Sequence, residues 1–426
     1  MGGLMMQIKE YRKFNEKVYI DKMDNGLSVV VVPKKGYQKT YATLSVKYGS
    51  IDTNINGKNY PAGIAHFLEH KMFDKKDHDA MDVFSKYGAG SNAFTSFNKT
   101  SYLFSTTDNV YENLNELLDF VQEPYFDDAK VEKEKGIIGQ EISMYDDEPG
   151  AVLFFKTVQN MFPDTPLNVD IAGTENSIYK ITKQDLYDSY NYFYQPQNMQ
   201  LTVVGNVIPQ DIFKCVSDNQ GKKAFDQPKE VKRTKIESSS IVKETNHYMD
   251  VNRPKVALGI KGDSKYNGNI KYELSISLLL QLLLSEGSEI YEKMYNDGII
   301  DDSFGFDFDC EEQFNFAVLA GETEKVDEFI DRISDVLVNF SDYISDKADE
   351  FELIKKEEIG QHVSMMNSIE AIANNMSNEE HDFENIYDEI EMIKQLELDD
   401  LIHYGKLFLN PDMIVKNKIF PKNKLV

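Results

Sequence analysis

Two histidines and a glutamate share a single helical turn at His66-Phe67-Leu68-Glu69-His70. On a helix, His66 and His70 project from the same face one turn apart, the geometry in which two imidazoles can hold one zinc ion. Glu69 lies beside them, where its carboxylate can take a proton from a water acidified by the metal. The order His-x-x-Glu-His reverses the commoner His-Glu-x-x-His and is the inverzincin pattern. For so short a motif the competing reading is a satisfied pair of core histidines, and a third ligand decides between the two.

A candidate third ligand lies in the helix expected over 128–146, where Glu134 and Glu141 share one face two turns apart. Glutamates at helical spacing are usually solvated. Here Ile137, Ile138 and Ile142 mark a buried side next to Glu141, and a carboxylate at a buried border needs a partner. Glu141 would complete a His-His-Glu site with a fourth position open to water, the arrangement of a catalytic zinc. Glu134 is better placed to orient a ligand or the reacting amide.

The elements around these residues fit a folded chain. With 426 residues, 41% of them hydrophobic and 28% charged, more than one domain is expected. No apolar run approaches a membrane span. The start, Met1-Gly2-Gly3-Leu4-Met5-Met6, is too short for a signal peptide. Cys215 and Cys310 form neither a disulfide framework nor a CxxC site, which fits a cytoplasmic location. A net charge of −26 argues against a nucleic-acid partner, whose phosphates need neutralising, and mainly serves solubility.

The chain also repeats itself. The turn Asp24-Asn25-Gly26 precedes the strand Leu27 to Val32, and Ala42, Leu44, Val46 and Tyr48 alternate onto one face. The pentad helix follows Pro61-Ala62-Gly63. After it come a helix near 78–87, strands at Asn92–Ser96 and Ser101–Thr106, helices at Tyr111–Val121 and 128–146, and a strand at Met199–Val204. The second half replays this order with Val256–Ile260, a helix Leu274–Leu284, strands Ser303–Asp309 and Phe314–Ala320, the helix Val326–Phe340, and a helix-helix-strand run over Ile386–Val415. The fold class is therefore α+β: two tandem homologous half-domains, each a mostly antiparallel mixed sheet with helices on one face. Their expected bounds are 1–220 and 246–426, joined by a polar linker at 221–245. The repeat carries no metal ligands. Its equivalent helix is a run of leucines, and Glu141 is matched by a His362 without partners.

On these residues the chain resembles the pitrilysin/insulinase-type metallopeptidases, the inverzincin family of insulin-degrading enzyme and mitochondrial processing peptidase. The resemblance rests on Gly63-Ile-Ala-His-Phe-Leu-Glu-His70, on Asn92-Ala-Phe-Thr95, and on the Glu134 and Glu141 pair. It implies one zinc per chain held by His66, His70 and Glu141, with Glu69 as general base and Glu134 in support. It further implies that Asn92, Ala93, Phe94 and Thr95 form an edge strand on which an extended peptide substrate is laid by β-pairing.

The pattern breaks in one place. Self-sufficient family members carry an Arg and a Tyr in the second half that bind substrate backbone and steady the oxyanion. By position Tyr295 and Asp302 stand there, and none of the four arginines (Arg12, Arg233, Arg253, Arg332) is nearby in sequence. The expected protein is thus a zinc endopeptidase of short or unfolded peptides, working in an enclosed chamber shared with a homologous subunit that supplies the Arg/Tyr pair. A homodimer is possible, and neither nucleic acid nor membrane is a partner. The alternative is an inactive peptide-binding or assembly protein of the same fold.

Overall fold

The computed structural model describes residues 6–225, 230–233, 236, 238, 240–376 and 385–422. Met1 to Met5 and part of the linker expected at 221–245 lie outside the described residues.

The first half runs β1 (Gln7–Tyr11), β2 (Glu16–Lys22), β3 (Ser28–Pro33), β4 (Thr40–Val46), the short β5 (Asn54–Ile55) and β6 (Lys58–Asn59), α1 (Ile64–Phe73) and α2 (Ala80–Lys86). It continues with β7 (Gly90–Thr95), β8 (Thr100–Thr106), α3 (Val110–Gln122), α4 (Asp128–Asp146), α5 (Pro149–Met161), α6 (Glu175–Ile178), α7 (Lys183–Phe193), β9 (Met199–Gly205) and α8 (Pro209–Gln220). The second half opens with β10 (Glu244–Met249), β11 (Lys255–Lys261), α9 (Ile270–Leu284), α10 (Glu289–Asn296), β12 (Gly305–Cys310) and β13 (Asn315–Glu322). It ends with α11 (Val326–Val338), α12 (Phe340–Ile344), α13 (Ala348–Met365), α14 (Ile369–Met376), α15 (Ile386–Gln395), α16 (Leu398–Phe408) and β14 (Ile414–Pro421).

The duplication is written in the strand order. The first sheet is β1-β2-β3-β9-β4-β8-β7 and the second β10-β14-β11-β13-β12. Each contains one parallel pair, β3 with β9 and β10 with β14, followed by antiparallel neighbours. Among the described residues the strands β1 and β2 have no counterpart in the second sheet.

Each half packs its own helices on one face of its sheet, and the other face is covered by a helix from the other half. Ile369, Ile372, Ala373 and Met376 of α14 are buried against Val30, Val32, Tyr41 and Val204 of the first sheet. Conversely Leu153, Val158 and Met161 of α5 are buried with Ala257, Val318 and Val415 of the second. Both faces of β4 are consequently buried, beyond the single alternating face that its sequence predicts. At roughly 1.5–3 kcal/mol for each fully buried aliphatic side chain, this exchange binds the halves firmly. Gly259 on β11 makes it possible, since a Cβ there would come within 2.7 Å of Thr157 Cγ2 on α5.

Candidate metal centre

Helix α1 begins at Gly63, whose φ of 84° is left-handed and whose added Cβ would meet the Ala172 carbonyl oxygen at 2.3 Å. Glycine alone fits this junction, which fixes the direction in which α1 leaves the loop. Ile64, Phe67, Leu68 and Met72 then bury the core side of the helix. Helix α4 is capped by Asp127, which accepts hydrogen bonds from the N–H groups of Ala129 and Lys130. Ile138 and Ile142 are buried as expected, whereas Ile137 is 46% exposed and belongs to the outer side. The buried side is therefore narrower than the isoleucine run suggested, but it still borders Glu141.

The packing of α4 against α1 brings four of the expected residues together. His66 Nε2 lies 3.7 Å from Glu141 Oε1, and His70 Nε2 lies 3.7 Å from Glu141 Oε2. One donor atom from each of His66, His70 and Glu141 falls within 4.8 Å of the other two. Donors around a tetrahedral zinc at ~2.0–2.2 Å lie roughly 3.3–3.6 Å apart, so this set fits the ion after a slight inward rotation. Glu134 does not join the ring of donors. Its Oε1 lies 3.1 Å from His70 Nδ1, behind the imidazole, which leaves His70 Nε2 facing Glu141.

The electrostatics also fit a cation. Burial, reinforced by His70, pushes His66 down to about 3, so its imidazole is neutral and keeps a free lone pair. At His70 burial acts in the same direction, but Glu134, Glu69 and Glu141 outweigh it and raise the imidazole above the usual range. Positive charge is what this ring of carboxylates attracts. Burial and Glu141 raise the Glu69 carboxyl, against His70 and the Thr95 hydrogen bond. Among the described residues His66 Nδ1 is buried and meets no hydrogen-bond partner.

A cavity of about 630 Å3 opens over these groups, lined by His66, Glu69, His70, Glu134 and Glu141 and by Asn92, Ala93, Phe94 and Thr95 of β7. Among the described residues β7 pairs only with β8 and forms one edge of the first sheet. Ser96 N–H donates to Lys99 O across the turn, so by antiparallel alternation Thr95 and Ala93 turn their backbone groups outward. The Asn92 side chain bonds the Ala93 N–H at 2.9 Å, occupying one of those outward groups.

Three residues were not singled out in the sequence. Lys71 is 1% exposed, with Nζ 3.3 Å from Glu134 Oε2 and paired to Asp74. It outweighs the burial of Glu134 together with His70, holding that carboxyl below its usual range. The only sequence signal was the Lys71 and Asp74 spacing along one helix face. Tyr145, one turn beyond Glu141, lines the cavity with its hydroxyl 3.4 Å from Glu141 Oε1. Arg253, distant in sequence from the 288–302 segment, reaches Asp301 with a 2.7 Å ion pair, so the fold does bring an arginine to that segment. Tyr295 is 45% exposed on α10 and stacks on Tyr291, and neither it nor Asp302 lines the cavity.

His-x-x-Glu-His with a distant glutamate closing on it defines an inverzincin-type centre, here in a duplicated α+β chain. The family model Insulinase (Peptidase family M16) matches residues 29–175, and Peptidase M16 inactive domain matches residues 180–357. A Bacillus subtilis (strain 168) protein named Uncharacterized zinc protease YmfH is 43% identical over 430 residues, covering 98% of this chain and 100% of that protein. The crystal structure of an M16-like protein from Alicyclobacillus acidocaldarius superposes with a TM-score of 0.89 at 28% identity, over 98% of this chain and 99% of that one. A protease from Helicobacter pylori shares the fold, with a TM-score of 0.84 at 19% identity over 95% of this chain and 100% of that one. The chain belongs to the M16 insulinase peptidase family. Among the described residues no helix is long and apolar enough to cross a membrane.

Proposed function

We propose that this chain is a zinc-dependent endopeptidase of short or unfolded peptides, and the metal-bearing subunit of a heterodimer that encloses its substrate. The observation that carries the reading is the convergence of His66, His70 and Glu141 on one point with Glu69 beside it. In this reading one zinc per chain is held by those three residues, within a catalytic half at 1–220, a linker at 221–245 and a metal-free half at 246–426. The site serves a cytoplasmic protein.

Held by His66, His70 and Glu141, zinc would supply Lewis acidity to polarise a carbonyl and acidify a water. The chain's own residues do the rest. The outward backbone groups of Ala93 and Thr95 pair with an extended peptide, with Asn92 yielding the Ala93 N–H. Glu69 accepts the proton of the attacking water and returns it to the leaving amine. Glu134 holds His70 by its Nδ1 and is itself held by Lys71. The divided site is supported by Tyr295 and Asp302, which stand by position where the family resemblance implies an Arg and a Tyr, and neither of which lines the cavity.

The test is cleavage of a quenched fluorescent peptide by the zinc-loaded chain, alone and mixed with its homologous subunit. Cleavage appearing on mixing supports the divided site, and full rate from the chain alone overturns it. No cleavage in either case, with zinc bound, favours the peptide-binding or assembly protein.

A further inference from the structure

Thr95 is the last residue of the edge strand, and its side chain does something that substrate pairing does not require. Its hydroxyl donates a 2.8 Å hydrogen bond to Glu69 Oε2. Along β7 exposure alternates, with Asn92 and Phe94 facing outward and Ser91, Ala93 and Thr95 half-buried. Thr95 therefore faces two ways: its backbone N–H and C=O lie on the open edge, while its side chain reaches inward to the carboxylate.

Glu69 is 7% exposed and one of its carboxylate oxygens is committed to Thr95. A carboxylate that keeps one oxygen in a fixed hydrogen bond presents the other in a defined direction. A general base must meet its proton within ~2.6–3.2 Å, so that direction decides how well it works. What lies beyond Thr95 is firmly held. Ser50 N–H bonds Ser96 O at 3.0 Å and Ile51 N–H bonds Phe97 O at 3.1 Å. Asn98 donates to Glu311 of the second half at 2.6 Å, and Arg233 donates to Asn98 O at 2.9 Å. One end of the strand is anchored while its middle is open, so a peptide strand added at the edge immobilises the residue that aims the base.

We propose that Thr95 is a positioning residue that couples the seating of a peptide on β7 to the orientation of the Glu69 carboxylate. The inference rests on the peptidase reading above. In it the edge strand is part of the catalytic machinery as well as a binding rail. A correctly paired peptide speeds its own cleavage, whereas a peptide seated without pairing to Thr95 meets a poorly aimed base.

The test is a cycle of two changes on the zinc-loaded protein with its homologous subunit present. Thr95→Val keeps shape and removes the donor, and a depsipeptide substrate replaces the amide that pairs with Thr95 by an ester. Thr95→Val is expected to lower kcat ~10–100-fold, the usual effect of losing an outer hydrogen-bond partner, with KM and zinc content unchanged and with Thr95→Ser restoring the rate. The ester lowers kcat in the wild type and has little further effect on kcat in Thr95→Val, because the coupling is already lost. Independent effects of the two changes, a Thr95→Val loss confined to KM, or equal losses in Thr95→Val and Thr95→Ser would overturn the proposal. A wild type that binds zinc but cleaves nothing would instead overturn the peptidase reading, and this inference with it.

Discussion

The helix pairs α1/α4 and α9/α13 occupy the same place in the two halves, but their polar residues have opposite fates. In the first pair His66, His70 and Glu141 turn one potential ligand atom each toward a common point across the interface. In the second, α9 offers a wall of leucines broken by Gln281, whose side chain donates directly to Glu358 of α13 at 2.7 Å. His362, the positional counterpart of Glu141, was expected to stand alone. Instead its Nε2 lies 2.8 Å from Glu389 Oε2 and its Nδ1 3.0 Å from the Glu358 carbonyl oxygen. Lys355, the counterpart of Glu134, donates to the backbone carbonyls of Lys394 and Leu396. Every one of these groups is satisfied within the protein, as buried polar groups must be. Ligand atoms that converge on one point offer a place for a cation; a set whose donors and acceptors pair off in turn is architecture.

Substitutions on the matching helices sharpen the contrast. Glu141→Gln removes a proposed metal ligand and is expected to weaken zinc binding by more than ~100-fold, beyond the loss of an outer partner. His362→Gln is expected to leave zinc binding unchanged. Competition with a chromophoric chelator reads both, and equal effects would erase the distinction between the pairs. The next largest effect concerns the buried lysines. Lys71→Met frees Glu134 from its second partner and should weaken zinc ~10–100-fold. Lys355→Met should leave zinc affinity alone and cost about 1–3 kcal/mol of stability through two unmet carbonyls. Denaturant unfolding and the same competition assay separate the two outcomes.

Gly259→Ala probes how tightly the exchanged helix α5 covers the second sheet. The added methyl meets Thr157 and Met161, and a loss of about 1–3 kcal/mol is expected from denaturant unfolding. Unchanged stability would mean that α5 rides loosely on β11.

The smallest effect is a pH dependence. Burial works against the His362 imidazolium, but its hydrogen bond and charge contacts with Glu389 and Glu358 raise it above the usual range. Its contribution to stability is complete below the unfolded histidine value of about 6.5 and is lost as pH rises through the higher folded value. Melting temperatures of the wild type and His362→Gln should accordingly differ most in acid and converge in alkali. A gap that widens as pH rises would contradict the assignment.

Much of the site was legible because its residues carry local signals. The pentad states its own helical face, and α4 takes the bounds 128–146 expected for it, with Asp127 found as its cap in the structure. The order of elements along the second half followed from repeating the first. Other features depend on contacts distant in sequence, which periodicity does not encode. An amphipathic segment such as α5 or α14 announces an apolar face without saying which sheet it covers. Lys71 reads as a surface residue until α4 brings Glu134 over it. Thr95 reads as one more polar strand residue until its register places the hydroxyl on Glu69. Arg253 meets Asp301 only through the fold.

The central claim is that one zinc, held in the first half alone, works through Glu69. Its most direct test is a stoichiometric zinc titration of the metal-free chain with its homologous subunit present, following peptide cleavage in the wild type and in Glu69→Gln. Cleavage should rise to a break at one equivalent in the wild type and stay at least ~100-fold lower in a Glu69→Gln chain that binds the same zinc. A Glu69→Gln chain that cleaves as fast as the wild type, or a wild type silent at every zinc level, would contradict it.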